Sequence, residues 1–227
     1  MNGHVTLAEE VLLLTLEDES GAVKESAGAA CAIPGALLAE LALAGRVALE
    51  DGTVTVVPGG EPTGEPLLDG RLERLAEWAR GRRTAKASEW LTQDRATAPA
   101  DTLERLVERG LVTEERRRVL GVFPVRRYPE ADGRVERALR ERLAAVVLHG
   151  AEPDARTGAL IALLHAAGLY RSAFPEVPRK EVEPRFAEIA EGEWAGEAVR
   201  EAIRNTRAVL AAVIAVTAAT AATTAVM

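Results

Sequence analysis

The chain has 227 residues, with 28 basic side chains against 35 acidic ones and a formal net charge of −7. Hydrophobic residues make up 48% of it but aromatics only 4%, so its core must be mostly Ala, Leu and Val, the composition of a helical interior. One cysteine, Cys31, excludes an intrachain disulfide framework and a cysteine-based zinc site, and fits a reducing cytoplasm.

No linker rich in Pro, Gly or Ser separates two cores, and residues 1–227 are expected to form a single domain. Met1 to Glu10 lacks a basic n-region and carries Glu9 and Glu10 just before its apolar run, a poor export signal. Arg outnumbers Lys 25 to 3, which fits GC-rich codon usage and a bacterial source. The charge is uneven: residues 1–70 hold 2 basic and 12 acidic groups, residues 71–142 hold 18 and 13, and residues 143–227 hold 8 and 10. A basic middle third on an acidic chain is either a solvated helix surface or a face presented to anions such as phospholipid head groups.

Thr6-Leu7-Ala8-Glu9 has the pattern of a capping box, and the apolar run Val11 to Leu14 covers more than one face of the helix that follows. Ala22 to Ala32 has no clear period. Pro34 suits a first helical turn, with Leu37, Leu38 and Leu41 following at helical spacing up to Gly45. From Arg46 the period becomes two, and Asp51-Gly52 supplies the positive φ angles of a tight hairpin. That turn pairs Leu49 with Val54 and Val47 with Val56 on one face of a 46–57 hairpin.

Leu68, Leu72, Leu75 and Ala79 mark an amphipathic helix, and a shorter one carries Trp90; the densest basic run, Arg80 to Lys86, lies between them. Asp101 and Glu104 are placed to cap a helix bearing Leu103, Leu106 and Val107, which Gly110 ends. Leu111 to Tyr128 is expected to be extended or irregular. Helices then follow from Val135 to Val147, from about Asp154 to Ala167, and from Arg179 to Glu191, with a loop or small β-hairpin over 168–178. Trp194 opens the last helix, which ends in the uncharged run Ala208 to Met227. Only Leu210, Ile214 and four Val residues there favour lipid, at about −0.3 to −0.6 kcal/mol each, so bilayer insertion is marginal. The segment is read instead as the central helix of an all-α bundle with small β-hairpins at 46–57 and around 168–178.

Enzyme signatures are missing. The sequence shows no Gly-rich phosphate loop, no metal-binding His spacing and no nucleophile elbow, so no catalytic residue, metal or cofactor is assigned. His165 sits in an apolar helical segment as a hydrogen-bonded core residue. The helix 34–44 with hairpin 46–57 could form a winged-helix element, but residues 34–57 hold only Arg46 against Glu40, Glu50 and Asp51, which excludes a nucleic-acid partner.

Four segments together resemble the Golgi phosphoprotein 3 family of peripheral membrane proteins. Leu7, Glu9, Glu10 and Val11 to Leu14, with Asp18 and Gly21, look like its first motif, and Glu40 to Leu43 with Gly45-Arg46 its second. Thr63-Gly64-Glu65 with Leu67-Leu68-Asp69 is similar to a third, and Arg156 to Phe174, containing His165-Ala166, to a fourth. The resemblance implies an all-helical, non-enzymatic protein that binds anionic phospholipid, in eukaryotic members phosphatidylinositol 4-phosphate, and holds glycosyltransferases in membranes. A Trp, an Arg and two later basic residues grip the phosphate in those members. This sequence places Glu25, Pro34, Glu152 and Ala155 there, with Arg156 adjacent.

By the same resemblance the 168–178 loop inserts its apolar tip into membrane or makes oligomer contacts. The tip residues would be Leu169, Tyr170 and Phe174, and Arg156, Arg171, Arg82 and Arg83 would meet lipid phosphate. The expectation is a cytoplasmic protein reversibly bound to an anionic membrane surface, with homo-oligomers as a possible partner state. The alternative is an adaptor that recognises the cytosolic tails of membrane enzymes such as glycosyltransferases and touches lipid little.

Overall fold

The computed structural model describes residues 5–16, 27–119, 123–129, 131, 133–192 and 209–219, with the backbone alone at 27, 116–119 and 123–126. Helix α1 (Leu7–Thr15) begins at the expected capping box: the Thr6 hydroxyl accepts the Glu9 amide at 3.2 Å, and the Glu9 carboxylate accepts the Thr6 amide at 2.7 Å. Every residue of α1 is buried, as its apolar circumference requires.

Alongside it packs α2 (Ala27–Leu43), which corrects one expectation: Pro34 lies inside this helix and not at its start. An interior proline forfeits a backbone hydrogen bond at about 3 kcal/mol. Ile33, Leu37, Leu38 and Leu41, each worth about 1.5–3 kcal/mol when buried, outweigh that loss. The small residues of α2 let its neighbours approach closely. A Cβ on Gly35 would lie 2.4 Å from a Val213 methyl, and one on Gly28 would lie 2.3 Å from the Ala167 carbonyl oxygen.

Strands β1 (Val47–Glu50) and β2 (Thr53–Val56) pair in the expected register, Val47 with Val56 and Leu49 with Val54. Asp51 (φ 48°) and Gly52 (φ 74°) form the turn. Then come α3 (Pro66–Ala79), α4 (Ala87–Asp94) and α5 (Ala98–Glu108). The last starts three residues ahead of the expected cap, with Pro99 in its first turn, because the Asp101 carboxylate is drawn instead to Arg71 and to Arg74 at 3.3 Å. Arg71 is fully buried, and Asp94 closes the ion-paired cluster that ties α3 to α4 and α5. The stretch expected to be extended forms a second antiparallel hairpin, β3 (Glu115–Val119) with β4 (Phe123–Arg127).

Helices α6 (Arg134–Val147), α7 (Ala155–Ala166) and α9 (Arg179–Glu191) match their apolar spacing, and Asp154 caps α7 by accepting the Thr157 amide at 2.7 Å. No strand forms over 168–178. A single helical turn, α8 (Tyr170–Ala173), stands where a hairpin was expected. Gly168 (φ 69°) ends α7, and the spacing of Leu169, Tyr170, Ala173 and Phe174 then turns four side chains inward on one helical face, which a two-residue period would split.

A final helix, α10, covers residues 209–219. It is peripheral, not central. Val209, Leu210, Val213 and Val216 are buried, whereas Ile214 is 51% exposed, as are Ala211, Ala215 and Ala218 in part or whole. The middle of the bundle is α1, α2 and α7, around which one hydrophobic cluster extends from Leu7 to Val216. No helix among the described residues is long and apolar enough to cross a membrane. The expected helix start at Trp194, residues 220–227 and the position Glu25 lie outside the described residues.

Candidate functional site

The basic run after α3 is held in place from both ends. The Val54 amide donates to the Ala85 carbonyl at 2.8 Å and the Ala87 amide to the Gly52 carbonyl at 2.8 Å, stapling the loop to the β1–β2 hairpin. Arg82 folds back onto α3, its guanidinium 4.3 Å from the centre of the Trp78 ring and its Nε donating to the Trp78 carbonyl at 2.9 Å. Trp78 in turn packs at 5.5 Å on buried Trp90. Glu89, 3.6 Å from Arg82, is a partly exposed and loosely held counter-charge. Arg80, Arg83 and Lys86 are exposed beside it. An aromatic plane, a pre-oriented guanidinium and further cations on one loop form a surface suited to phosphate oxygens.

Arg156 is placed very differently. At the start of α7 it pairs with Glu40 of α2, donates to the Val5 carbonyl and lies 3.7 Å from Glu10, with its side chain 18% exposed. The second Glu40 oxygen accepts the Leu7 amide at 2.6 Å. Arg142 reaches Glu10 at 2.9 Å, and Arg109 reaches Glu9 at 2.8 Å. Burial pushes the Glu10 carboxyl above its ordinary range, against the pull of Arg156 and Arg142. The cluster therefore anchors the start of α1 to α2, α5, α6 and α7. Of the positions aligned with the family's phosphate pocket, Pro34 is inside α2, Ala155 opens α7, and Glu152 is exposed in the loop before it.

The third group surrounds α8. Leu169, Tyr170 and Phe174 are buried, with 5%, 4% and 6% exposure, and only Arg171 of the anticipated tip faces solvent. Tyr170 and Phe174 meet Phe186 of α9 edge-on at 5.3 and 6.0 Å. The Tyr170 hydroxyl is 2.8 Å from His165 Nδ1 and 3.4 Å from a Glu183 oxygen. One hydroxyl proton serves both contacts if His165 Nδ1–H donates to the Tyr170 oxygen while Tyr170 O–H donates to Glu183. Burial, with help from Arg179, lowers the His165 pKa, and burial together with Glu183 raises that of Tyr170.

The sequence-derived residues thus occupy three places: Arg82 and Arg83 on the stapled loop, Arg156 in the internal cluster, and Arg171 with the apolar tip at α8. Trp78, His165, Arg140, Arg179 and Glu183 were not singled out by sequence. The four-residue spacings Trp78–Arg82 and Arg179–Glu183 were visible in it, as i,i+4 pairs on one helix face. A separate cavity of about 630 Å³ opens between α1 and α6, lined by Leu13, Leu16, Tyr128 and Ala144 and by the opposed charges of Arg137, Arg140, Glu136 and Glu141. Those charges balance, so the cavity has no preference for an anion. Among the described residues no cluster of His, Cys, Asp or Glu is arranged to hold a metal ion.

Comparison with known families agrees with the motif reading. The family model of Golgi phosphoprotein 3 matches residues 7–206, which takes in all three of these groups and most of the chain. The chain belongs to the Golgi phosphoprotein 3 family.

Proposed function

We propose that this protein is a non-enzymatic peripheral membrane protein that binds anionic phospholipid head groups through its stapled basic loop, with Arg82, Arg83 and Arg171 meeting lipid phosphate. Its place in a lipid-binding or adaptor family supports this reading. The observation that carries it is the loop itself, where Arg82 lies on Trp78 while Arg80, Arg83 and Lys86 remain exposed. Arg156 joins the lipid contacts only by exchanging Glu40 for a phosphate. Leu169, Tyr170 and Phe174 insert only after leaving the bundle. Pro34, Glu152 and Ala155 supply no phosphate-binding side chain, so recognition follows total negative charge and not phosphatidylinositol 4-phosphate.

Co-sedimentation with vesicles of graded phosphatidylserine content, with and without phosphatidylinositol 4-phosphate, at two salt concentrations, tests this. Binding is expected to rise with total anionic lipid and to weaken with salt. Dependence on the inositol lipid would overturn the generic mode. An absence of vesicle binding, with recovery of the cytosolic tails of membrane enzymes, would make the protein an adaptor instead.

A further inference from the structure

Resting on that reading, we infer that the α8 segment is a membrane anchor stored in a closed form, held by a polar latch that an anionic bilayer opens. The apolar side chains that would enter lipid are the ones the bundle buries, and two sets of polar contacts lie over them. On the α9 side, Arg179 donates to both Glu183 oxygens, at 2.9 and 2.5 Å, and its guanidinium covers the Tyr170 ring at 4.7 Å. Glu183 in turn receives the Tyr170 hydroxyl, whose oxygen meets His165. On the α6 side, Arg140 donates to the Ser172 and Ala173 carbonyls at 2.9 and 3.0 Å, satisfying the free end of the α8 turn.

The segment is bounded by Gly168 at positive φ and by Pro175 and Pro178, so its two ends are natural pivots. Arg179 has 62% of its side chain exposed and Glu183 38%, so the bond that closes the latch faces outward. Arg171 and Lys180 are exposed nearby.

In water, opening exposes Leu169, Tyr170 and Phe174 and is unfavourable. At a bilayer the same side chains pass into hydrocarbon, and lipid phosphates replace the Glu183 carboxylate at Arg179. The surface thereby binds the open form and not the closed one, which is the differential affinity that a population shift requires.

The test compares the full chain with Tyr170→Phe, which keeps the ring packing but removes both hydroxyl contacts at no change of charge, and with Glu183→Gln. Vesicles of equal phosphatidylcholine and phosphatidylserine are the probe. Both variants should bind about three- to tenfold more tightly than the unaltered chain, and adding Leu169→Asp to either should abolish the gain. Glu181→Gln, an exposed change of the same charge outside the latch, should leave affinity within about twofold. If the unaltered chain binds and Tyr170→Phe binds no better, the latch is wrong and the lipid reading stands. A Glu183→Gln gain that survives Leu169→Asp reflects charge alone and also overturns it. If no form binds, both readings fall.

Discussion

Replacing Glu40 by Gln tests the internal cluster at the seam of α1, α2 and α7. One Glu40 oxygen accepts the Leu7 amide at 2.6 Å and the other pairs with Arg156. Glutamine keeps an acceptor for Leu7 but leaves Arg156 facing a neutral amide. Removing one member of a buried ion pair costs about 3–5 kcal/mol. Here the two side chains retain 18% and 12% exposure, and Glu10 still lies 3.7 Å from Arg156, so solvent and a second carboxylate offset part of the loss. About 2 kcal/mol remains. For a chain of this length that lowers Tm by about 4–8 °C in a thermal scan followed by circular dichroism. Arg156→Met, combined with Glu40→Gln, should cost less than the two single changes added together, with a coupling above about 1 kcal/mol. A Tm within about 1 °C of the unaltered chain, or strict additivity, would refute an energetically coupled pair.

Identical substitutions at two helical glycines should have opposite effects. Gly35→Ala pushes a Cβ to 2.4 Å from buried, β-branched Val213, and overpacking of about 1–3 kcal/mol should outweigh the helix-propensity gain of about 1 kcal/mol. Gly70→Ala in α3 meets nothing within 4 Å and should stabilise by about 0.5–1 kcal/mol; denaturant titrations compare the two. Asp154→Ala should remove an N-cap worth about 1 kcal/mol. Burial raises the Asp154 pKa, but bonds from Thr157 and the charge of Arg142 more than offset this and leave it depressed. The capping contribution is therefore full above the ordinary aspartate pKa of about 3.9 and disappears as pH falls through the lower native value, a slope that Asp154→Ala should lack in pH-dependent melts. Arg82→Ala and Arg83→Ala should each weaken vesicle binding about fivefold, corresponding to about 1 kcal/mol per surface cation, and the effect should shrink at high salt; unchanged sedimentation would remove the loop from the interface.

Local chemistry was legible wherever it decides structure unaided. The Thr6–Glu9 box, the Asp51-Gly52 turn with its register, and the apolar stripes of α3, α6, α7 and α9 all follow from spacing and side-chain type. Where long-range packing decides, the sequence was ambiguous. Pro34 signals a helix start until the buried aliphatics on both sides of it are known. The uncharged run after Arg207 suggests a central helix, but over 209–219 only one side is covered, and the central positions belong to α1 and α2. Leu169 to Phe174 was legible as apolar but not as buried, because inward and lipid-facing side chains have the same composition. Arg156 hid its role for a similar reason. An arginine in sequence shows its charge, while its partners, Glu40 and the Val5 carbonyl, lie 116 and 151 residues away.

A net charge of −7 sets this chain against an anionic surface, so attraction has to be local, within a screening length of about 8 Å at physiological salt. Many of its basic residues are already committed: Arg71, Arg109 and Arg156 neutralise carboxylates inside the bundle. Arg82, Arg83 and Arg171 remain for head groups, and at about 1 kcal/mol each they give no better than about millimolar affinity. Insertion adds less than the apolar content of α8 suggests, because Leu169 and Phe174 leave a core nearly as apolar as the lipid they enter. What the transfer does change is which contacts are available: the closed form keeps apolar surface from non-specific encounters, and the open form is favoured only where phosphate and hydrocarbon are present together. Binding by one copy is then weak and readily reversed by salt. Stable residence on a membrane must come from several chains engaging one surface, where each further contact gains effective concentration.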